Sequence, residues 1–300
     1  MSSAPVVVRG LVKRYGAATA VDHVDLTVEQ GDIYGYLGPN GAGKTTTLRM
    51  LLGLIRRDSG DVQLFGKDPA RGIAALAKVA GFVESPTFYP YLTGRENLGL
   101  FAALDGGAAN GVVDSALETV ALRERADERV GTYSLGMRQR LGIAAALMRS
   151  PRLLILDEPG NGLDPAGIRD MRRLITSLPE QGVTVLYSSH LLAEVEEVCN
   201  RVAIVNQGKI AFEGALSELR ASYGASYRLL TADDERALAL VRSNGGQGAR
   251  VEDGVIALDA SQEVVDRIAI ELGRSGIAIR YLAREQRSLE DLFFQLTEAQ

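Results

Sequence analysis

The chain has 300 residues, of which 46% are hydrophobic and 24% are charged, a composition that supports a packed core and excludes a globally disordered protein. The net charge of −5 argues against a nucleic-acid-binding protein, because such proteins usually carry a basic surplus or stripe. The single cysteine, Cys199, excludes an internal disulfide. The N-terminal residues do not resemble a secretory signal, and no apolar run approaches the ~18 residues of a membrane-spanning helix.

Residues 1–222 are predicted to form an α/β domain in which short apolar strands alternate with amphipathic helices, as in phosphate-binding proteins. The predicted strands lie at 6–8, 24–28, 32–37, 61–64, 81–83, 153–156, 184–187, 202–205 and 210–212. Helical periodicity dominates between residues 85 and 150, at 96–104, 112–121 and 136–148, and predicts an inserted helical subdomain.

Residues 225–300 are predicted to form a separate accessory domain after a break rich in small residues. The predicted strands lie at 227–230, 250–252, 255–258 and 277–282, and the predicted helices at 233–243, 262–273 and 289–296. Because this order is β-α-β-β-α-β followed by one helix, we predict a small α+β domain of the ferredoxin-like type.

The segment from Gly38 to Thr45 reads GPNGAGKT and matches the pattern G-x-x-x-x-G-K-[ST] of a nucleotide-binding P-loop. A strand pattern precedes this segment and a helical pattern follows it, which favours the P-loop over a chance glycine-rich turn. Glycines let successive N–H groups face phosphate oxygens, and the helix N-terminus adds roughly +0.5 charge there. The residues predicted to contact the nucleotide here are Gly38, Pro39, Asn40, Gly41, Ala42, Gly43, Lys44, Thr45 and Thr46.

A second motif, LLILDEP at 153–159, places two acids at the end of a buried strand. Lys44 is predicted to reach the β- and γ-phosphates, and the Thr45 hydroxyl and the Asp157 carboxylate are predicted to bind Mg²⁺. Glu158 is placed to accept a proton from, or to orient, the water that attacks the γ-phosphate. The alternative, a solvated acidic turn after a core strand, is disfavoured by the accompanying P-loop.

Together these motifs resemble those of an ATP-binding cassette (ABC) ATPase, the motor subunit of ABC transporters, over about residues 6–219. The resemblance implies ATP and Mg²⁺ as cofactors. Tyr15 lies where the family stacks an aromatic ring on adenine, although a tyrosine packed at a strand end is the alternative. His190 follows a predicted strand, as in the family's switch loop, where an imidazole bonds the γ-phosphate.

The segment from Tyr133 to Arg140, YSLGMRQR, stands at the place of the family signature, usually LSGGQ. The resemblance implies that Ser134 and Gly136 donate hydrogen bonds to the ATP held by the other protomer. Leu135 and Met137 depart from the usual signature. Asp164 belongs to NGLD, which resembles the D-loop that crosses the dimer interface.

Glu84 is the most informative departure, because family members commonly have glutamine at the end of this strand. By resemblance, Glu84 is expected to contact Mg²⁺ and the attacking water, although an ordinary exposed acid is the alternative. With the signature, the segment resembles the branch that includes bacitracin-type and lantibiotic-immunity exporters. The predicted catalytic residues are therefore Lys44, Glu84, Glu158 and His190.

The resemblance implies an ATP-hydrolysing motor subunit of an exporter for a drug, an antibiotic or a peptide. Two cassettes would form a homodimer around ATP and pair with a separately encoded membrane permease, without nucleic acid. The protein would then be cytoplasmic and held on the inner face of the cell membrane by its permease. A soluble ABC ATPase acting on ribosomes or DNA is the alternative, although such relatives usually carry paired cassettes or long coiled-coil insertions.

Overall fold

The computed structural model describes residues 4–104, 111–222, 226–250, 254–285 and 289–298, and the chain divides into two compact units, Met1–Ala215 and Leu216–Gln300. The strands of the first unit are β1 (Val6–Tyr15), β2 (Ala18–Val28), β3 (Ile33–Leu37), β4 (Ser59–Leu64), β5 (Val79–Phe82), β6 (Leu153–Asp157), β7 (Thr184–Ser189), β8 (Arg201–Asn206) and β9 (Lys209–Ala215). Its helices are α1 (Lys44–Leu51), α2 (Gly94–Leu104), α3 (Val112–Thr119), α4 (Leu135–Leu147), α5 (Pro165–Ser177) and α6 (Leu192–Val198).

The central sheet of the first unit has six strands in the order β5-β6-β7-β3-β8-β9. The first five are parallel, and β9 returns antiparallel to β8. Every residue of β3, β6 and β7 is buried, which explains why the sequences of these strands are mostly apolar. Since the carboxyl ends of parallel strands meet at one edge, the loops after β3, β6 and β7 lie together there.

A second sheet, antiparallel and ordered β2-β1-β4, shares a core with the helix that follows β3. Val8, Leu26 and Leu64 from this sheet and Leu48 from α1 belong to the same buried cluster. The strands β1 and β2 have 10 and 11 residues and are longer than the predicted 6–8 and 24–28. The short predictions were wrong because polar residues on the outer face interrupt the apolar pattern.

The chain between β5 and β6 contains three helices, α2, α3 and α4, which pack against one another. The guanidinium of Arg95 in α2 lies 2.6 Å from Asp114 of α3 and 2.8 Å from Asp127, which follows α3 in the chain. These ion pairs join α2 to α3 and to the segment after it. Within the described ranges, no helix has both the length and the apolar character needed to cross a bilayer.

The second unit contains α7 (Leu216–Ser222), β10 (Ser226–Thr231), α8 (Asp234–Ser243), β11 (Gln247–Arg250), β12 (Ile256–Asp259), α9 (Gln262–Arg274), β13 (Ile279–Glu285) and α10 (Leu289–Glu298). Its four strands form an antiparallel sheet in the order β11-β12-β10-β13, and α8 and α9 share a core with it. The helix α7 contacts α10, with Leu219 and Leu292 fully buried. This contact groups α7 with the second unit, so the boundary lies earlier than the predicted 222–225.

Candidate nucleotide-binding site

The P-loop leaves β3 at Leu37 and enters α1 at Lys44. Gly41 and Gly43 have φ values of 84° and 97°, in the left-handed region that favours glycine. A Cβ atom at Gly43 would lie 2.2 Å from the carbonyl oxygen of Ala20, so a larger residue does not fit without moving the backbone. Gly43 is therefore required by both conformation and space, and Gly41 by conformation alone.

Lys44 is buried with only 6% of its side chain exposed, although it carries a charge. Its ammonium donates to the carbonyl oxygens of Gly38 at 2.8 Å and Pro39 at 3.3 Å, and lies 3.2 Å from Glu158 Oε1. These contacts use all three donors of the ammonium. An arriving phosphate must therefore displace at least one of them, and Glu158 is the anion that competes with it directly.

Asp157 joins the P-loop helix to the two central strands β6 and β7. Thr45 Oγ1 donates to Asp157 Oδ2 at 2.8 Å, and Ser188 Oγ donates to Asp157 Oδ1 at 2.5 Å. Ser188 also accepts a hydrogen bond of 3.1 Å from the Glu158 amide. The sequence reasoning missed Ser188, because its role depends on the register that pairs Asp157 with Ser188 across β6 and β7.

Glu158 and His190 form the other half of this network. The carboxylate oxygen Oε2 of Glu158 lies 2.6 Å from His190 Nδ1 and accepts from the His190 amide at 3.3 Å. Glu158 has a φ of 48°, a strained conformation for a non-glycine residue. Because one oxygen contacts Lys44 and the other contacts His190, the surrounding groups hold the strained backbone in place.

A cavity of about 390 Å³ opens beside these side chains. It is lined by Ala20, Asn40, Gly41, Gly43, Lys44, Thr45, Thr46, Glu158, Asn161 and His190. The structure thus brings most of the predicted phosphate-contacting residues to one cavity, and Lys44, Glu158 and His190 all line it. Ala20 was not anticipated, since only the approach of the β1–β2 hairpin to the P-loop places it there.

The predicted signature residues Ser134 and Gly136 and the D-loop residue Asp164 do not line this cavity within the described part of the chain, whereas Asn161 of the same D-loop does. Ser134 caps α4 by accepting a 3.2 Å hydrogen bond from the Met137 amide, and Asp164 caps α5 by accepting one of 2.7 Å from Gly167. Gly136 lies close to Leu163, so the start of α4 packs on the D-loop segment of its own chain. The predicted signature residues Ser134 and Gly136 therefore lie apart from the cavity beside the P-loop of the same chain.

Tyr15 and Glu84 also stand outside the cavity. Tyr15 ends β1 at the tip of its hairpin with 51% of the residue exposed, and the Lys13 ammonium lies 5.5 Å from the centre of its ring. Glu84 follows β5 with a φ of 70°, and its side chain, 69% exposed, pairs with Arg49 of α1. In the structure the partner of Glu84 is therefore the guanidinium of Arg49, whereas the sequence predicted Mg²⁺.

Comparison with known proteins agrees with the resemblance inferred from the motifs. The family model described as "ABC transporter" matches residues 21–161. The chain is 41% identical over 293 residues to the bacitracin transport ATP-binding protein of Bacillus licheniformis, covering 95% of each chain. It is 35% identical to the daunorubicin/doxorubicin resistance ATP-binding protein of Streptomyces peucetius, covering 96% of this chain and 91% of the relative.

The fold is also shared with solved structures. The structure of an ATP-binding subunit of an ABC transporter superposes with a TM-score of 0.64 at 29% identity, over 73% of this chain and 92% of that one. The ADP conformation of another ATP-binding cassette superposes with a TM-score of 0.66 at 25% identity, over 72% of this chain and 93% of the other. The cassette fold predicted for the first unit is confirmed. The chain therefore belongs to the ABC transporter family, as an ATP-binding subunit that hydrolyses ATP.

Proposed function

We propose that this subunit powers the export of a drug, an antibiotic or a peptide through a membrane permease that is a separate chain. The names of its relatives, which refer to bacitracin transport and to daunorubicin/doxorubicin resistance, support export. A subunit held by its permease would lie in the cytoplasm on the inner face of the membrane. Neither the proposed dimer nor the proposed permease requires nucleic acid as a partner.

The observation that carries this proposal is that the signature residues lie apart from the cavity that the P-loop residues of the same chain line. Lys44, Glu158 and His190 line the cavity, whereas Ser134 and Gly136 stand at the start of α4 and do not reach it. Two chains paired head to tail would complete two sites with ATP between them. ATP would then hold the pair closed, and its hydrolysis would loosen it, a cycle able to move a permease.

Within this site we assign the phosphates to residues 38–46 and the adenine to Tyr15. Thr45 and Asp157 present adjacent oxygen atoms, the ligand type that Mg²⁺ prefers, and Mg²⁺ is usually bound through one or two carboxylates beside phosphate and water. When bound, Mg²⁺ would neutralise charge on the β- and γ-phosphates. Glu84 is assigned beside it as a further ligand once its carboxylate leaves Arg49.

In this proposal Lys44 acts first, when it binds the γ-phosphate, and Glu158 acts second. An arriving γ-phosphate takes a donor from the Lys44 ammonium, and Glu158 Oε1 is thereby released from its 3.2 Å contact. The released carboxylate then orients the attacking water and accepts its proton. His190 holds the other carboxylate oxygen and faces the same cavity, so it is assigned to sense the γ-phosphate.

We propose that residues 1–215 act as the ATPase domain and residues 216–300 as an accessory domain of ferredoxin-like fold that supports the dimer. The order β10-α8-β11-β12-α9-β13 supports this fold, as does the antiparallel sheet in which β10 and β12 are the central strands. The solved structure of an ATP-binding subunit of an ABC transporter covers 73% of this chain.

The variant Glu84→Gln is expected to keep ATP affinity within about threefold and to lower turnover roughly three- to tenfold. The amide loses a negative charge beside the triphosphate but also a strong oxygen ligand for Mg²⁺. Steady-state ATP hydrolysis at several Mg²⁺ concentrations measures both effects. Unchanged turnover at every Mg²⁺ concentration would remove Glu84 from the site and leave it as the surface partner of Arg49.

The proposed function is tested by recovering tagged Glu158→Gln protein from native membranes with Mg-ATP present. We expect a polytopic membrane protein in stoichiometric yield, because the slowed variant holds the closed complex. The matched control is tagged Lys44→Met protein, which should recover less of that partner if ATP closes the complex. Recovery of ribosomes or nucleic acid in place of a membrane protein would favour the soluble ATPase and overturn the export proposal.

A further inference from the structure

Two helices extend the catalytic loops away from the cavity. The segment 158–164 leads from Glu158 into α5, and the segment after β7 leads through His190 into α6. The helices α5 and α6 contact each other. A shift of one helix against the other therefore changes the position of Glu158 relative to His190.

Glu194 of α6 reaches back to the loop that begins α5. A Cβ atom at Gly160 would lie 2.6 Å from Glu194 Oε2, so only glycine accommodates this carboxylate at its present position. The other oxygen, Oε1, is buried and has no hydrogen-bond partner among the described residues. Burial raises the pKa of Glu194, Arg172 and His190 oppose the rise, and Glu158 adds to it.

Arg172 of α5 is the complementary group on the facing helix. Its Nε atom is buried and, within the described ranges, also lacks a hydrogen-bond partner, while its Nη1 donates to Glu197. Glu194 and Glu197 are three residues apart on α6 and therefore lie on the same side of that helix. Among the described residues, the buried Nε atom of Arg172 and the buried Oε1 atom of Glu194 thus lack partners at one helix contact. Leaving both unsatisfied is costly unless another arrangement of the two side chains pairs them.

We propose that Arg172 and Glu194 are positioning residues for ATP hydrolysis, which pair when α5 and α6 shift and thereby align Glu158 with His190. The guanidinium passes one turn along α6, from Glu197 to Glu194, a change that rotation of long side chains can accomplish. The new contact joins the start of α6 to α5 and to the Gly160 backbone. The inference rests on the catalytic roles proposed for Glu158 and His190. It adds two residues that fix the position of Glu158 relative to His190.

The test compares Glu194→Gln with Glu197→Gln in the full-length chain by steady-state ATP hydrolysis. We expect Glu194→Gln to lower kcat roughly tenfold with KM for ATP within about twofold, since a positioning defect affects the reacting geometry more than binding. Glu197→Gln removes the same charge from the same helix, but Glu197 is 57% exposed, so its kcat should stay within about twofold of the parent. Equal loss in both variants, or kcat of Glu194→Gln within twofold of the parent, would overturn the proposal.

A double variant keeps the test decisive if the buried single change perturbs folding. Arg172→Gln with Glu194→Gln leaves an amide pair and no charged side chain at positions 172 and 194, so its thermal midpoint should stay near that of the parent. Its kcat should be no lower than that of Arg172→Gln alone, whereas additive losses would show that the two residues act independently.

Glu158→Gln in the same assay separates the two proposals. Parental turnover there would refute the catalytic role of Glu158, while a slow Glu158→Gln beside a parental Glu194→Gln would refute only the pairing.

Discussion

Glu158→Gln is expected to bind ATP at least as tightly as the parent chain and to hydrolyse it roughly 10²- to 10⁴-fold more slowly, the range usually contributed by a positioned proton acceptor. The side-chain amide of glutamine has nearly the same shape as the carboxylate of glutamate but accepts a proton poorly. It also lacks the negative charge that holds the Lys44 ammonium at 3.2 Å, so that ammonium is freer to meet phosphate. Phosphate release measures the rate, and size-exclusion chromatography with Mg-ATP should show accumulation of a closed dimer.

The contact of Glu158 with Ser188 makes this variant structurally conservative. The Glu158 amide donates to Ser188 Oγ at 3.1 Å through the backbone, so that contact survives the side-chain change. Glu180→Gln is a matched control, because it makes the same chemical change at an exposed position away from the cavity lining. Parental turnover of Glu158→Gln, or an equal loss in Glu180→Gln, would contradict the assignment of Glu158 as the proton acceptor.

Lys44→Met is expected to weaken ATP binding about 10- to 100-fold and to abolish measurable hydrolysis. Methionine fills similar space in a site where only 6% of the lysine side chain is exposed, so the loss reports the charge rather than a cavity. The charged hydrogen bonds from lysine to phosphate account for a change of this size. Displacement of a fluorescent nucleotide gives the dissociation constant.

The control for this prediction is Lys78→Met, which removes a lysine charge at an exposed position where the ammonium lies 5.9 Å from the Phe65 ring. Its ATP affinity should match that of the parent. A dissociation constant for Lys44→Met within threefold of the parent value would show that the ammonium does not bind phosphate. The remaining P-loop contacts would then have to come from backbone N–H groups alone.

The local conformation of the P-loop was predictable from sequence because it depends on neighbours in the chain. Gly41 and Gly43 adopt positive φ values, and the strand and helix on either side follow from short apolar runs of the right period. The buried strand β6 was predictable for the same reason, since a parallel strand covered on both faces is a continuous apolar run, here up to Asp157 at its end. The motifs, and with them the family, therefore needed no coordinates.

The partners of the site residues required the tertiary structure. Ser188 reaches Asp157 because β6 and β7 pair in one register, and a shift of one residue would point its hydroxyl to the other face. Glu84 meets Arg49 across 35 positions of sequence, a contact that the resemblance to other family members did not indicate. Sequence patterns carry no information about such pairings when each residue type is common and exposed.

The sequence by itself determined that this protein is an ATP-binding subunit, since the spacing of glycine, lysine, threonine and two acids is that of a phosphate site and predicts its metal ligands. Only the tertiary structure decided which groups compete for those residues before phosphate arrives. Lys44 is shared between two carbonyl oxygens and Glu158, and Glu158 is shared between Lys44 and His190. The physical reason is that a motif sets the identity and order of residues along the chain, whereas hydrogen bonds between loops depend on how the strands bearing them are paired.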